Sequence, residues 1–206
     1  MINDAVFLAC GLVIIVIIVT LVFRIEQKKI RKYVEFFQNQ AARKNRRFVR
    51  SDSFSLPQLH FTYRDIEVVI FMTQLRSGRI SRIPPGTFIV ADFPVKIDCQ
   101  FQIYQEADRA RIVKPLVAPY MKLQSDPFDE VFMIRSKDRP FVESIFTYEV
   151  QQRLLACRAY KPVVEFYQQR LAISVPLLIL EEKILDGLVE ACRGLIDRIQ
   201  DIGEHQ

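Results

Sequence analysis

The 206-residue chain is 50% hydrophobic, with 29 Lys and Arg against 24 Asp and Glu, ten prolines, six glycines and no tryptophan. That composition excludes collagen-like, low-complexity and wholly disordered chains and fits one folded domain. The charge is uneven: residues 1–23 contribute −1, residues 24–50 carry ten Lys and Arg against two Glu, and residues 51–206 come to −2, so the basic character belongs to one short stretch.

In chain order, the first element reads as a membrane span. Ala5 to Phe23 has no charge, and 14 of its 19 residues are Val, Ile, Leu or Phe. As a helix it covers roughly 28 Å, close to the ~30 Å hydrocarbon core, and its apolar residues favour insertion by about 4 to 8 kcal/mol. A cleaved signal peptide would need a basic n-region and small residues at its end, whereas this core ends Leu21-Val22-Phe23-Arg24. Phe7-Leu8-Ala9-Cys10 is no lipoprotein box, since the apolar core follows the cysteine. Arg24, Lys28, Lys29, Arg31 and Lys32 crowd the C-terminal flank, against Asp4 on the other. The positive-inside rule therefore predicts a single pass with the N-terminus outside and residues 24–206 in the cytoplasm. Beyond Cys10 the chain has Cys99, Cys157 and Cys192, an odd number without close pairing, expected as free buried thiols.

Ile30, Tyr33, Val34, Phe37 and Ala41 recur at helical spacing, which predicts an amphipathic helix from Ile25 to about Ala42, continuing from the span. Arg43 to Arg50 and Ser51-Asp52-Ser53 lose that period, and Pro57 closes a linker. The chain thus divides into an anchor (1–23), a basic juxtamembrane segment and linker (24–56) and a domain (57–206).

From Leu59 the period becomes two: 59–63, 66–72, 88–90 and 97–103 read as strands with one buried face, separated by a loop at Arg76 to Arg82 and a turn at Pro84-Pro85-Gly86. The stretch 106–124 is ambiguous. Val131 to Ser136 reads as a strand, Asp138 to about Cys157 as one helix with Val142, Phe146, Val150 and Leu154 in steps of four, Val163 to Phe166 and Leu171 to Val175 as a hairpin, and Leu180 to Ile202 as a closing helix. The fold class is α+β: a single N-terminal transmembrane helix, then an antiparallel β-meander followed by β-α-β-β-α, with helices on one sheet face.

The anchor, the run Asp126-Pro127-Phe128-Asp129-Glu130-Val131-Phe132-Met133-Ile134-Arg135-Ser136-Lys137-Asp138, and Leu171-Ala172-Ile173-Ser174 before a long terminal helix are the residues of a wider likeness. In them the chain resembles an uncharacterised bacterial family of N-terminally membrane-anchored proteins. The resemblance implies an inner-membrane location, no known chemistry, and no functional residue to carry over.

Motifs for chemistry are missing from the sequence. His60 alternates outward between Leu59 and Phe61, His205 is terminal, and no CxxC, HExxH or EF-hand spacing occurs. Asp126, Asp129 and Glu130 read as turn residues before a strand. The glycines have neither GxxxxGK nor GxGxxG spacing, there is no GxSxG elbow, and the cysteines occupy periodic apolar positions. No metal and no cofactor is expected, and the chain is read as a non-enzyme.

Two readings stand for the cations after the span. They hold orientation alone, or Arg24, Lys28, Lys29, Arg31 and Lys32 also contact anionic headgroups at about 1 kcal/mol each. Nucleic acid is not an expected partner, because the domain is itself acidic. Gly187, Ala191 and Gly194 form a stripe of small residues that suits packing within the domain or a homodimer. The function predicted is a binding or scaffolding module at the membrane surface with lipid and protein partners. The alternative is an enzyme whose site is assembled from distant residues, told apart by a concave pocket with convergent ionisable groups.

Overall fold

The computed structural model describes residues 2–50, 57–73, 85–112 and 115–203, and their side chains except those of residues 2–14, 26, 29, 110 and 111. Helix α1 (Ile2–Lys44) is unbroken over 43 residues, so the expected span and juxtamembrane helix form one rod of about 65 Å. Among the described residues no helix is long and apolar enough to cross a membrane. More than half of Ala5 to Phe23 lies outside the described side chains, and so do Arg76 to Arg82, Ser51-Asp52-Ser53, Pro84 and His205. The described part of α1 from Ile15 to Phe23, together with Ile25, has nine large apolar side chains 52–63% exposed. The helix stops where Asn45 takes a left-handed φ of 51° and Arg46 N returns a bond to Ala41 O, a turn that asparagine tolerates better than most residues.

The chain then builds β1 (Arg47–Val49), β2 (Gln58–Tyr63), β3 (Ile66–Thr73), β4 (Gly86–Asp92), β5 (Gln100–Tyr104), β6 (Tyr120–Met121), β7 (Met133–Ser136), β8 (Val163–Tyr167) and β9 (Arg170–Val175). Among the described residues these strands make one antiparallel sheet in the order β1-β2-β3-β4-β9-β8-β5-β7-β6. The α+β class with an antiparallel sheet is therefore seen. The β2–β3 turn puts Arg64 and Asp65 at φ 47° and 63°, the left-handed pair that matches the twist of a two-residue hairpin. Helices α2 (Asp126–Asp129), α3 (Arg139–Ile145), α4 (Tyr148–Ala156) and α5 (Glu182–Gly203), with 3-10 turns at Glu106–Arg111 and Arg158–Tyr160, are the other elements.

Two expectations are corrected. Residues 47–49, read as linker, are an edge strand paired to β2. The helix expected from Asp138 to Cys157 is two helices, α3 capped by Asp138 Oδ1 accepting from Phe141 N and α4 starting after a break at Phe146 and Thr147. The break is held because the Gln151 side-chain amide donates to Phe146 O at 2.7 Å, satisfying the carbonyl that the helix abandons. Val142, Phe146, Val150 and Leu154 are all buried across it, so the apolar step of four survives where the helix does not.

One sheet face makes the core. Leu59, Ile70, Ile89, Ile173, Val164, Ile103 and Ile134 are successive partners across seven strands, each at most 1% exposed. The same apolar cluster takes in Tyr33 and Phe37 of α1, Phe141 and Val142 of α3, Leu154 of α4 and Leu188, Leu195 and Ile199 of α5. Alternation then turns the residues between them, Gln102 among them, to the opposite face.

Candidate functional site

On that opposite face Glu165 of β8, Gln102 of β5, Arg135 of β7 and Tyr120 of β6 stand side by side in register. The segment Pro115-Leu116-Val117 crosses over them and is tied down at both peptide groups of Leu116. Gln102 Oε1 accepts from Leu116 N at 2.7 Å, and Arg135 Nη1 donates to Leu116 O at 3.1 Å. With its oxygen so engaged, the Gln102 amide turns its nitrogen to Glu165 and donates to Oε1 at 2.8 Å. Arg135 Nη2 also donates to the Tyr120 hydroxyl at 2.6 Å, and Tyr104 donates to the same oxygen at 3.2 Å. Between the strap and the sheet lies a half-open cavity of about 330 Å³, lined by Gln100, Glu165, Tyr167 and Lys137 among others.

The electrostatics follow from partial burial. Loss of water pushes the Glu165 carboxyl up, and the bond from Gln102 pulls it part of the way back. Burial raises Tyr104 to about 12, while Tyr120 is lowered, first by the hydrogen bond from Tyr104. Because Glu165 holds its proton to higher pH in the folded state, its contribution to stability is full below the ordinary glutamate value of about 4.3 and is lost as pH rises through the raised folded value. Glu165→Gln is therefore expected to raise the urea midpoint at pH 7 and to leave it unchanged near pH 4; a larger gain at pH 4 would contradict that assignment.

The cavity gathers one carboxyl, one ammonium at its border and side-chain amides. The thiols lie elsewhere: Cys99, Cys157 and Cys192 are free and buried in the core, with Cys99 and Cys192 pushed by burial to about 12. Among the described residues there is no group of three His, Cys, Asp or Glu side chains that could hold a metal ion.

The residues singled out from sequence fall in three places. Arg24, Lys28, Arg31 and Lys32 are exposed on α1, and the side chain of Lys29 lies outside the described residues. The second basic cluster, read as a linker, instead docks on the start of α5. Arg43 pairs with Glu182 at 3.1 Å, Lys44 with Asp186 at 3.2 Å, and Arg46, its side chain 4% exposed, with Asp186 at 3.6 Å. Arg46 also lies 5.2 Å from the centroid of the Phe61 ring, and burial lowers its pKa. A Cβ on Gly187 would lie 3.6 Å from Cys157 Sγ, just beyond α4, and one on Gly194 would lie 3.2 Å from Arg153 Nη1 of α4, while Ala191 is fully buried. His60 bridges Glu67 and Gln58 at 2.9 and 3.1 Å, and Asp129 accepts from Leu123 N and Ser125 N, so both its oxygens organise the turn.

Glu165, Gln102, Arg135 and Tyr120 carry no motif, and sequence reasoning passes over them. The signal available for Glu165, Gln102 and Arg135 was their outward phase in alternating strands, which by itself describes any solvent-facing position, and Tyr120 lies in the ambiguous stretch 106–124.

No protein-family model matches the chain, and no curated protein matches its sequence. Among solved structures, it is similar to the crystal structure of the mycobacterial trehalose monomycolate transport factor A, TtfA. The TM-score is 0.51 at 10% identity, covering 82% of this chain and 93% of that one. At that identity the likeness is one of fold.

Proposed function

We propose that this chain is a single-pass, membrane-anchored binding module without catalytic activity, its domain held at the cytoplasmic surface of the inner membrane by α1. The observation that carries this reading is the contrast between the two halves of one continuous helix. Tyr33, Phe37 and Gln40 are buried against the domain, whereas the apolar side chains from Ile15 to Ile25 are exposed and continue a charge-free run that begins at Ala5. An apolar surface of that extent calls for a non-aqueous neighbour. At 1.5 Å per residue, Arg24, Lys28, Lys29, Arg31 and Lys32 follow Phe23 within about 14 Å, the headgroup layer plus about one Debye length, while Arg43 to Arg46 lie ~30 Å beyond it and pair with α5. Lipid contact therefore falls to the first cluster. TtfA, the fold neighbour, is a transport factor, which accords with a domain that binds rather than transforms.

The test is fractionation of cells expressing the full chain. It should stay in the membrane pellet through carbonate extraction, a chain lacking residues 1–23 should not, and protease added to spheroplasts should spare the domain. Recovery of the full chain in the soluble fraction, or digestion of the domain from outside, would overturn the reading.

A further inference from the structure

We propose that the cavity under the Pro115-Leu116-Val117 strap is a binding site for small organic amines, with the ammonium on the Glu165 carboxylate and the hydrocarbon body beneath the strap. The inference rests on the reading of the domain as a binding module and supplies its ligand class. The strap is a built feature, fixed by hydrogen bonds at both Leu116 N and Leu116 O, and the half-open cavity beside it, about 330 Å³, lies at the small end of the range for small-molecule sites.

The charge pattern selects the ligand. Gln102 is turned by Leu116 so that its N–H meets Glu165, and among the described residues no cation pairs with that carboxylate. Arg135, next but one across the sheet, is engaged by Leu116 O and the Tyr120 hydroxyl. A carboxylate half withdrawn from water and held by one amide gains most from a ligand that brings its own positive charge, since charge-assisted hydrogen bonds are the strong ones. Lys137 also borders the cavity. It follows Ser136, the last paired residue of β7, and its exposed side chain leaves Glu165 as the one carboxylate among the residues that line the space. Pro115, Leu116, Val117 and Tyr167 line the space for the apolar remainder.

The experiment uses the full chain in phosphatidylcholine nanodiscs, with empty nanodiscs subtracted, titrated calorimetrically with 2-phenylethylamine, 2-phenylethanol and 3-phenylpropionate. Saturable binding of the amine is expected, at least tenfold tighter than the alcohol, with none of the carboxylate. Glu165→Gln should weaken the amine at least tenfold while keeping a cooperative melt, because the new amide oxygen can still accept from Gln102; Glu165→Asp should restore part of the affinity. Absence of saturable amine binding, amine binding unchanged in Glu165→Gln, or preference for 3-phenylpropionate would each overturn the proposal. Incorporation into nanodiscs is a separate readout: a chain that inserts and binds no amine rejects the ligand class alone, and a chain that does not insert rejects the anchored module.

Discussion

Phe101→Ala is expected to remove about 3–5 kcal/mol of domain stability, a large part of the 5–15 kcal/mol that a domain of this kind possesses. Phe101 is fully buried on β5 and lies where sheet and helices meet. Its ring stacks on Phe166 of β8 at 5.6 Å and meets Phe146, at the break between α3 and α4, edge-on at 5.2 Å. Phe166 in turn contacts Phe93 and Phe141, and Phe146 contacts Phe128. Truncation therefore opens a void bordered by the Phe166 and Phe146 rings, neither of which can collapse into it without leaving another aromatic partner. The measurement is urea unfolding followed by alkylation of Cys192, a thiol 1% exposed in the fold. Tyr148→Ala, at a side chain 76% exposed, is the control and should stay within about 0.5 kcal/mol. A loss below about 1 kcal/mol for Phe101→Ala would mean that the ring cluster rearranges around the gap.

The parts of the fold that could be read in the sequence are those whose signal is local. β2, β3 and β9 alternate because each has one face in the core, and α5 is periodic because one stripe of it is buried, so both follow from a residue and its near neighbours. Pairing is not local. β9 lies against β4, joining Thr87 to Val175, and nothing in either strand names the other. Arg46 looked like one more solvated charge because its burial depends on Phe61 and Asp186, supplied by β2 and α5. The break at Phe146 was hidden because the apolar step of four continues through it, and the decisive bond comes from Gln151, an unremarkable helix residue. The cavity was least legible. Gln102 and Glu165 have the pattern of solvent-facing strand positions, and they become a site because a segment without any period, around Leu116, folds back over them.

Gly86→Ala is expected to cost about 3 kcal/mol or more, at the upper end of overpacking penalties. The cause is space. A Cβ on Gly86 would overlap the carbonyl oxygen of Val175 and sit 3.2 Å from its carbon and 3.5 Å from Pro176 Cα, all main-chain atoms that cannot swing aside. Relief requires β4 to shear from β9 where the next residue, Thr87, pairs with Val175. That residue also ties down the run into α5, its hydroxyl donating to Leu177 O at 2.7 Å and accepting from Ile179 N at 3.0 Å. The strain therefore reaches both the sheet and the helix that covers it. Gly187→Ala makes the same chemical change with the opposite expectation. Its nearest neighbour, Cys157 Sγ at 3.6 Å, is at ordinary contact distance, and alanine inside a helix is favoured over glycine by about 1 kcal/mol. Urea midpoints of the two variants should fall on opposite sides of the wild type; a neutral Gly86→Ala would show that β4 and β9 part at their ends more easily than this close approach implies.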